Sequence, residues 1–256
     1  SMMRSVRLVW VLLVLVGCVS TDQQVVPVDE QEVASRAIEL GVAYLRQGDY
    51  TRAKDNLMKA LAIDEDSARA HNTLAIVFQQ EREFELAERY FLRAISLDPA
   101  LIAARNNYGA FLYARARPAE AVTQLQIATE DRFYERRAQA FENLGVAYLA
   151  LADQGLALAA FERAAALNAR LPRTLLELAD LNFQQQDYPS ARDYFLRHKA
   201  LAPDSARSLY LCVQIYTIFL AVRERDQCTE DLMRIFPASE GAKTLREGSP
   251  IEAHNE

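Results

Sequence analysis

The sequence is poor in the residues that build catalytic and metal sites. It contains three histidines, three cysteines and eight glycines in 256 residues. His71, His198 and His254 lie far apart, and none has a second histidine or a cysteine at the i, i+4 spacing typical of a zinc site. The sequence also lacks a nucleophile elbow and a glycine loop that would cradle phosphates. We therefore expect no enzyme, no cofactor and no metal site.

The chain also lacks an excess of positive charge. It has 29 basic and 35 acidic residues, with a net charge of −6. Because phosphate contacts dominate nucleic-acid affinity, an acidic chain without a basic stripe is a poor candidate for binding DNA or RNA. Alternating apolar runs are absent, and 51% of the residues are hydrophobic. These features favour an all-α fold with a sizeable core.

What the chain has instead is an internal repeat. The string Leu-Gly-Val-Ala-Tyr-Leu occurs at 40–45 and again at 144–149. A small residue recurs about every 34 residues, the period of tetratricopeptide repeats, and a second register of alanines follows each copy on the next predicted helix. The first register comprises Gly41, Ala75, Gly109, Gly145 and Ala179, with Val213 in a degenerate sixth place. Small side chains let two antiparallel helices approach to about 8–10 Å.

The pattern predicts an all-α tetratricopeptide-repeat superhelix of six helical hairpins, a right-handed solenoid that acts as a monomer. The predicted repeats are 34–67, 68–101, 102–135, 138–171, 172–205 and 206–237. A single hairpin cannot bury its apolar face alone, so the stacked copies share a continuous core. Residues 238–256 are expected to form a frayed tail.

The N-terminus is typical of a lipoprotein precursor. Residues 1–17 combine Arg4 and Arg7 with the apolar run 8–16, as in a secretory signal peptide. The next motif, 15–18, resembles a bacterial lipobox and predicts lipid attachment at Cys18. Val19 in place of aspartate favours the outer membrane. Residues 18–33 form a predicted flexible tether of up to about 50 Å. The alternative is a signal peptide followed by an incidental cysteine.

The first helices of the repeats are expected to line an inner groove. The predicted partner-binding residues share one stripe of these helices: Ile38, Val42, Leu45, Asn72, Ile76, Asn106 and Tyr113. An apolar surface with a few amides suits an amphipathic or extended peptide. The alternative is that some of these residues only cover the core.

Two cysteines fall on the two helices of repeat six. Cys212 and Cys228 would face each other across this hairpin. In an oxidising periplasm they could form a disulfide, and two free core thiols are the open alternative.

The chain resembles the type IV pilus biogenesis/stability lipoprotein family, the pilotins of the pilus secretin. The lipobox, the six repeats and the strings at 106–109, 111–113 and 141–145 carry the resemblance. At 134–136 the chain departs from the family, which usually has a proline between the tyrosine and the glutamate. The resemblance implies a non-enzymatic factor that binds the type IV pilus secretin subunit and carries it to the outer membrane, where it multimerises. Two alternatives are a scaffold of β-barrel assembly and a regulator of peptidoglycan synthesis.

Overall fold

The computed structural model describes residues 29–248. Within that range the chain is helical, and its first twelve helices form six antiparallel hairpins. The helices are α1 (Glu30–Arg46), α2 (Tyr50–Ile63), α3 (Ala68–Gln80), α4 (Phe84–Leu97), α5 (Ile102–Ala114), α6 (Pro118–Glu130), α7 (Arg137–Ala150), α8 (Gln154–Leu167), α9 (Pro172–Gln184), α10 (Tyr188–Lys199), α11 (Ala206–Ile218), α12 (Val222–Ile235) and α13 (Glu240–Arg246). The predicted all-α hairpin solenoid is therefore confirmed. The predicted signal peptide, Cys18 and residues 19–28 lie outside the described residues.

The repeated small residues lie where the two helices of a hairpin cross. A Cβ atom on Gly109 would lie 2.5 Å from Cγ of Leu125, and one on Gly145 would lie 2.8 Å from Cζ of Phe161. Both Leu125 and Phe161 are fully buried. Glycine suits these two crossings because even a Cβ atom would require the residue that fills the hairpin to shift.

The hairpins stack with their first helices side by side. Helix α1 contacts α3, α3 contacts α5, α5 contacts α7, and α9 contacts α11. Each second helix also packs against the first helix of the next repeat. The first helices therefore form the inner side of the stack, as the repeat pattern predicts.

The first helix begins before the predicted boundary at residue 34. Asp29 caps it, because its Oδ1 accepts a hydrogen bond of 3.0 Å from the backbone N–H of Gln31. Glu30 and Glu32 in the first turn also favour the helix dipole. The prediction that the tether runs to residue 33 is therefore wrong for residues 30–33, which are helical.

A short helix also replaces part of the predicted frayed tail. Helix α13 is capped by Ser239, whose hydroxyl oxygen accepts from the backbone N–H of Ala242 at 3.2 Å. Ala242 is fully buried, and a Cβ atom on Gly241 would lie 2.8 Å from Cγ of Tyr210. Residues 240–246 thus pack on α11 and cap the last hairpin. None of the helices in residues 29–248 is both long and apolar enough to cross a bilayer.

Candidate partner-binding groove

The structure separates the seven predicted groove residues into two groups. Ile38, Asn72 and Asn106 are buried, with exposed fractions of 5%, 8% and 2%. They lie between neighbouring first helices, so the prediction that they present a binding surface is corrected. The remaining four residues are partly exposed: Val42, Leu45, Ile76 and Tyr113. We call these four the apolar strip.

The buried amides form hydrogen bonds between consecutive repeats. Nδ2 of Asn107 donates to Oδ1 of Asn72 at 3.2 Å, and Nδ2 of Asn143 donates to Oδ1 of Asn106 at 3.1 Å. A buried amide that loses its partner costs about 1–3 kcal/mol. These pairs therefore hold the first helices of repeats two, three and four at a fixed spacing.

On the same inner side, carboxylates accept hydrogen bonds from the neighbouring repeat in the later repeats. Oε2 of Glu142 accepts from Oγ1 of Thr174 at 2.6 Å. Arg207 donates to both carboxylate oxygens of Glu177 at 2.7 Å and to Asp180 at 2.6 Å. Its hydrogen bonds to Glu177 raise the pKa of Arg207. We call the whole series, from Asn72 to Arg207, the inter-repeat ladder.

The apolar strip has the chemistry of a peptide-binding surface. Val42 and Leu45 pack on the core of the first two repeats, and Ile76 and Tyr113 pack on the core that follows. Each of the four side chains is half-buried and keeps part of its apolar surface in contact with solvent. A partner segment that covers this surface would be stabilised by burying apolar area, at about 25 cal/mol per Å².

Comparison with known proteins identifies the family. Residues 38–102 and 153–206 match the tetratricopeptide repeat family. The chain is 37% identical over 239 residues to the type IV pilus assembly protein PilF of Pseudomonas aeruginosa, and the match covers 91% of this chain and 94% of PilF. The chain belongs to the PilF family.

Two solved structures of type IV pilus proteins, PilF and PilW, share the fold of this chain. The structure described as a functional characterisation of Pseudomonas aeruginosa PilF superposes with a TM-score of 0.84 at 35% identity, covering 86% of this chain and 99% of PilF. The structure of PilW, described as a widely conserved type IV pilus biogenesis factor, has a TM-score of 0.72 at 27% identity and covers 84% of this chain and 99% of PilW. Nearly all of the PilF and PilW structures therefore has a counterpart here.

Two histidines of this PilF-family chain, His71 and His198, form hydrogen bonds with backbone carbonyl groups. Nε2 of His71 lies 2.9 Å from the carbonyl oxygen of Glu65, and Nδ1 of His198 lies 2.8 Å from that of Pro172. His254 lies outside the described residues. Among residues 29–248, no three or more His, Cys, Asp or Glu side chains are grouped as metal ligands would be.

The two cysteines of repeat six are joined in this structure. Cys212 and Cys228 form a disulfide, with their Cα atoms 6.1 Å apart. Both side chains are buried in the core of the last hairpin together with Leu232. The bond links α11 to α12 at the C-terminal end of the stack, where it has a structural role.

Proposed function

We propose that this chain is an outer-membrane lipoprotein that binds the type IV pilus secretin and promotes its localisation and multimerisation. As a member of the PilF family, the chain acts in type IV pilus biogenesis. The observation that carries the proposal is the 37% identity to PilF along nearly the whole chain. The secretin as partner and the lipid anchor at Cys18 rest on the family resemblance and on the lipobox.

The apolar strip supplies the contact surface in this proposal. Three of its four residues, Val42, Leu45 and Ile76, lie on α1 and α3. These helices belong to the repeats nearest residue 29, where the chain leads back towards Cys18. A secretin segment bound here would be held close to the membrane that it must enter. Its occupant would be an apolar or amphipathic segment, because the strip offers no charged side chain.

A pair of carboxylates placed in the strip tests the proposal. Val42→Asp with Ile76→Asp puts unpaired charges where apolar side chains of the partner dock, and desolvating such charges opposes binding. We expect co-purification of the secretin to fall at least about tenfold, which corresponds to about 1.4 kcal/mol. Because both residues also touch the core, circular dichroism must show that the variant is folded, and the milder pair Val42→Ala with Ile76→Ala is measured beside it.

The matched control lies on the second helices of the same repeats. Met58 and Leu92 are 52% and 49% exposed, on α2 and α4. Met58→Asp with Leu92→Asp adds the same two charges on the outer side, and we expect secretin capture at the wild-type level. If the control pair abolishes capture while the strip pair keeps it, the secretin binds the outer side and the proposed groove site is wrong.

A further inference from the structure

The loop between α6 and α7, residues 131–136, holds an aromatic side chain out in solvent. Phe133 is 95% exposed, the most exposed large apolar side chain in residues 29–248. The loop around it is fixed by hydrogen bonds. Oδ1 of Asp131 accepts from the backbone N–H of Phe133 at 2.8 Å, and Nε of Arg137 donates to the carbonyl oxygen of Thr129 at 2.7 Å. The next residue, Tyr134, turns inward, with its hydroxyl oxygen buried.

A basic cavity of about 560 Å³ lies beside this aromatic side chain. Arg132, Arg136 and Arg137 line it, together with residues of the α8–α9 connection such as Asn168. Within residues 29–248 none of the three guanidinium groups is paired with a carboxylate. Arg136 donates instead to the side-chain oxygen of Gln139. Helix α7, which begins here, has no side-chain cap, so the backbone N–H groups of its first turn add to the positive potential. Glu135 is the single acidic residue of the lining.

The topology places this cavity on the edge of the stack from which the predicted tether leaves. Every first helix starts on one edge, and every second helix returns to it, so residue 29 and loop 131–136 share that edge. The two earlier connections on the same edge, 64–67 and 98–101, contain no basic residue. Their charged residues are acidic: Asp64, Glu65, Asp66 and Asp98. The basic and aromatic corner is therefore a particular feature of repeats three and four.

We propose that loop 131–136 and its cavity dock on an anionic phospholipid surface. The arginine side chains that line the cavity bind the phosphodiester groups of the lipids, and the ring of Phe133 enters the boundary between headgroups and acyl chains. An anionic lipid supplies both an acceptor for the donor-rich cavity and an apolar phase for the exposed ring. The docking rests on the proposed function in one respect, since a lipid anchor at Cys18 would bring this edge to the membrane.

A tryptophan probe tests the docking on the whole protein. The chain has one tryptophan, Trp10, within the predicted signal peptide. Subtracting the wild-type emission spectrum from that of Phe133→Trp therefore leaves the emission of the indole at position 133. The purified protein is mixed with an excess of vesicles of phosphatidylcholine alone or with phosphatidylglycerol, each with brominated acyl chains. We expect a blue shift and quenching with phosphatidylglycerol, and a loss of both when Arg132→Glu and Arg136→Glu are added.

The matched control places the probe on the opposite edge. Leu220 is 84% exposed, in the turn between α11 and α12. Leu220→Trp should keep the emission of a water-exposed indole with either lipid. Equal quenching of the two probes would show that the protein lies on the vesicle without a preferred edge, and the proposal would fail.

Two further measurements test the lipid docking of loop 131–136 separately from the proposed lipoprotein function. Flotation of the wild-type protein with phosphatidylcholine vesicles reports the lipid anchor alone. If the protein floats but the indole of Phe133→Trp stays unquenched with phosphatidylglycerol, the docking is refuted and the lipoprotein function stands. If the protein does not float, the anchor is refuted, and quenching of the same indole by excess vesicles still decides the docking. Protection of this indole by purified secretin but not by lipid would identify a protein-binding loop and overturn the lipid proposal.

Discussion

Gly145 offers the sharpest test of how the hairpins are packed. Its missing side chain leaves room for the ring of Phe161, whose Cε1 and Cζ would lie 2.8 Å from a Cβ atom at this position. The chain itself shows how much can be added there. In repeats two and five the same crossing pairs an alanine with a buried phenylalanine, as Ala75 with Phe91. We therefore expect Gly145→Ala to be tolerated and Gly145→Leu to be destabilising.

The expected magnitudes follow from two opposing effects. Replacing a mid-helix glycine by alanine favours the helix by about 0.5–1 kcal/mol, which offsets a small shift of the Phe161 ring. Leucine gains a similar amount from helix propensity, but three further carbons must enter a fully occupied crossing. Overpacking of this kind costs about 1–3 kcal/mol, occasionally more. The net loss of about 1–2 kcal/mol lowers the melting temperature of a chain of this size by about 2–8 °C.

The control for this prediction lies in the same hairpin. Gly155, near the start of α8, is exposed, and a Cβ atom there would meet only Oδ1 of Asp153, at 3.8 Å. Gly155→Leu should melt within about 2 °C of wild type, since surface substitutions change stability by about 0.5 kcal/mol or less. Melting is followed by circular dichroism, and hydrogen exchange should locate the loss in α7 and α8. Equal melting of Gly145→Leu and wild type, or an equal loss in Gly155→Leu, would refute the packing argument.

Two further predictions concern the cysteines. Cys18→Ser should remove palmitate labelling and outer-membrane fractionation and reduce secretin multimers, because each buried acyl methylene contributes about 0.8 kcal/mol to anchoring; normal fractionation of this variant would contradict the lipoprotein hypothesis. Cys212→Ala with Cys228→Ala should destabilise the last hairpin by about 2–4 kcal/mol, since the disulfide closes a loop with a sequence separation of 16; free thiols in the oxidised wild type, or unchanged hydrogen exchange in α11 and α12, would show that the bond contributes nothing.

The repeat pattern predicted the hairpins because packing at the crossings restricts residue size so strictly. Chain ends carry a weaker signal. Whether residues 30–33 and 240–246 become helical depends on the caps Asp29 and Ser239 and, for α13, on contact with Tyr210. A capping residue before a short polar stretch is common in loops as well as at helix starts. The tether and the tail predicted from the sequence alone were therefore both too long.

The sequence signal is also weak for the turns inside the hairpins. Each of the six turns contains a residue with positive φ, but only the first uses glycine, Gly48 at 76°. The other five residues are Arg82, Ala116, Ala152, Gln186 and Leu220. A non-glycine residue in this region costs roughly 1 kcal/mol. Packing of the two helices outweighs this cost, so glycine marks one turn of six and the others were predictable only from the repeat period.

The groove was predicted less well than the fold, for a physical reason. The face of a helix follows from its periodicity, but the exposure of that face depends on how closely the next repeat approaches. Asn72 and Asn106 lie on the predicted inner stripe, yet the neighbouring first helix covers both and bonds to them. The signal was present in the sequence as polar residues at matching positions of successive repeats. A peptide-binding role explained it equally well, so the sequence could not distinguish the two interpretations.

The inter-repeat ladder also bears on the binding role proposed for the first two repeats. The position that holds Asn72 and Asn106 in repeats two and three holds Ile38 in repeat one, and this side chain is buried between α1 and its neighbours. The inner side of the first junction therefore relies on apolar contacts, which are not directional, whereas the later junctions are fixed by hydrogen bonds with set geometry. At the edge where the turns within the hairpins lie, Lys54 and Glu81 form an ion pair between repeats one and two, with Nζ and Oε1 2.7 Å apart. The inner side of this first junction, where the apolar strip begins, is thus held by apolar packing and not by the inter-repeat ladder.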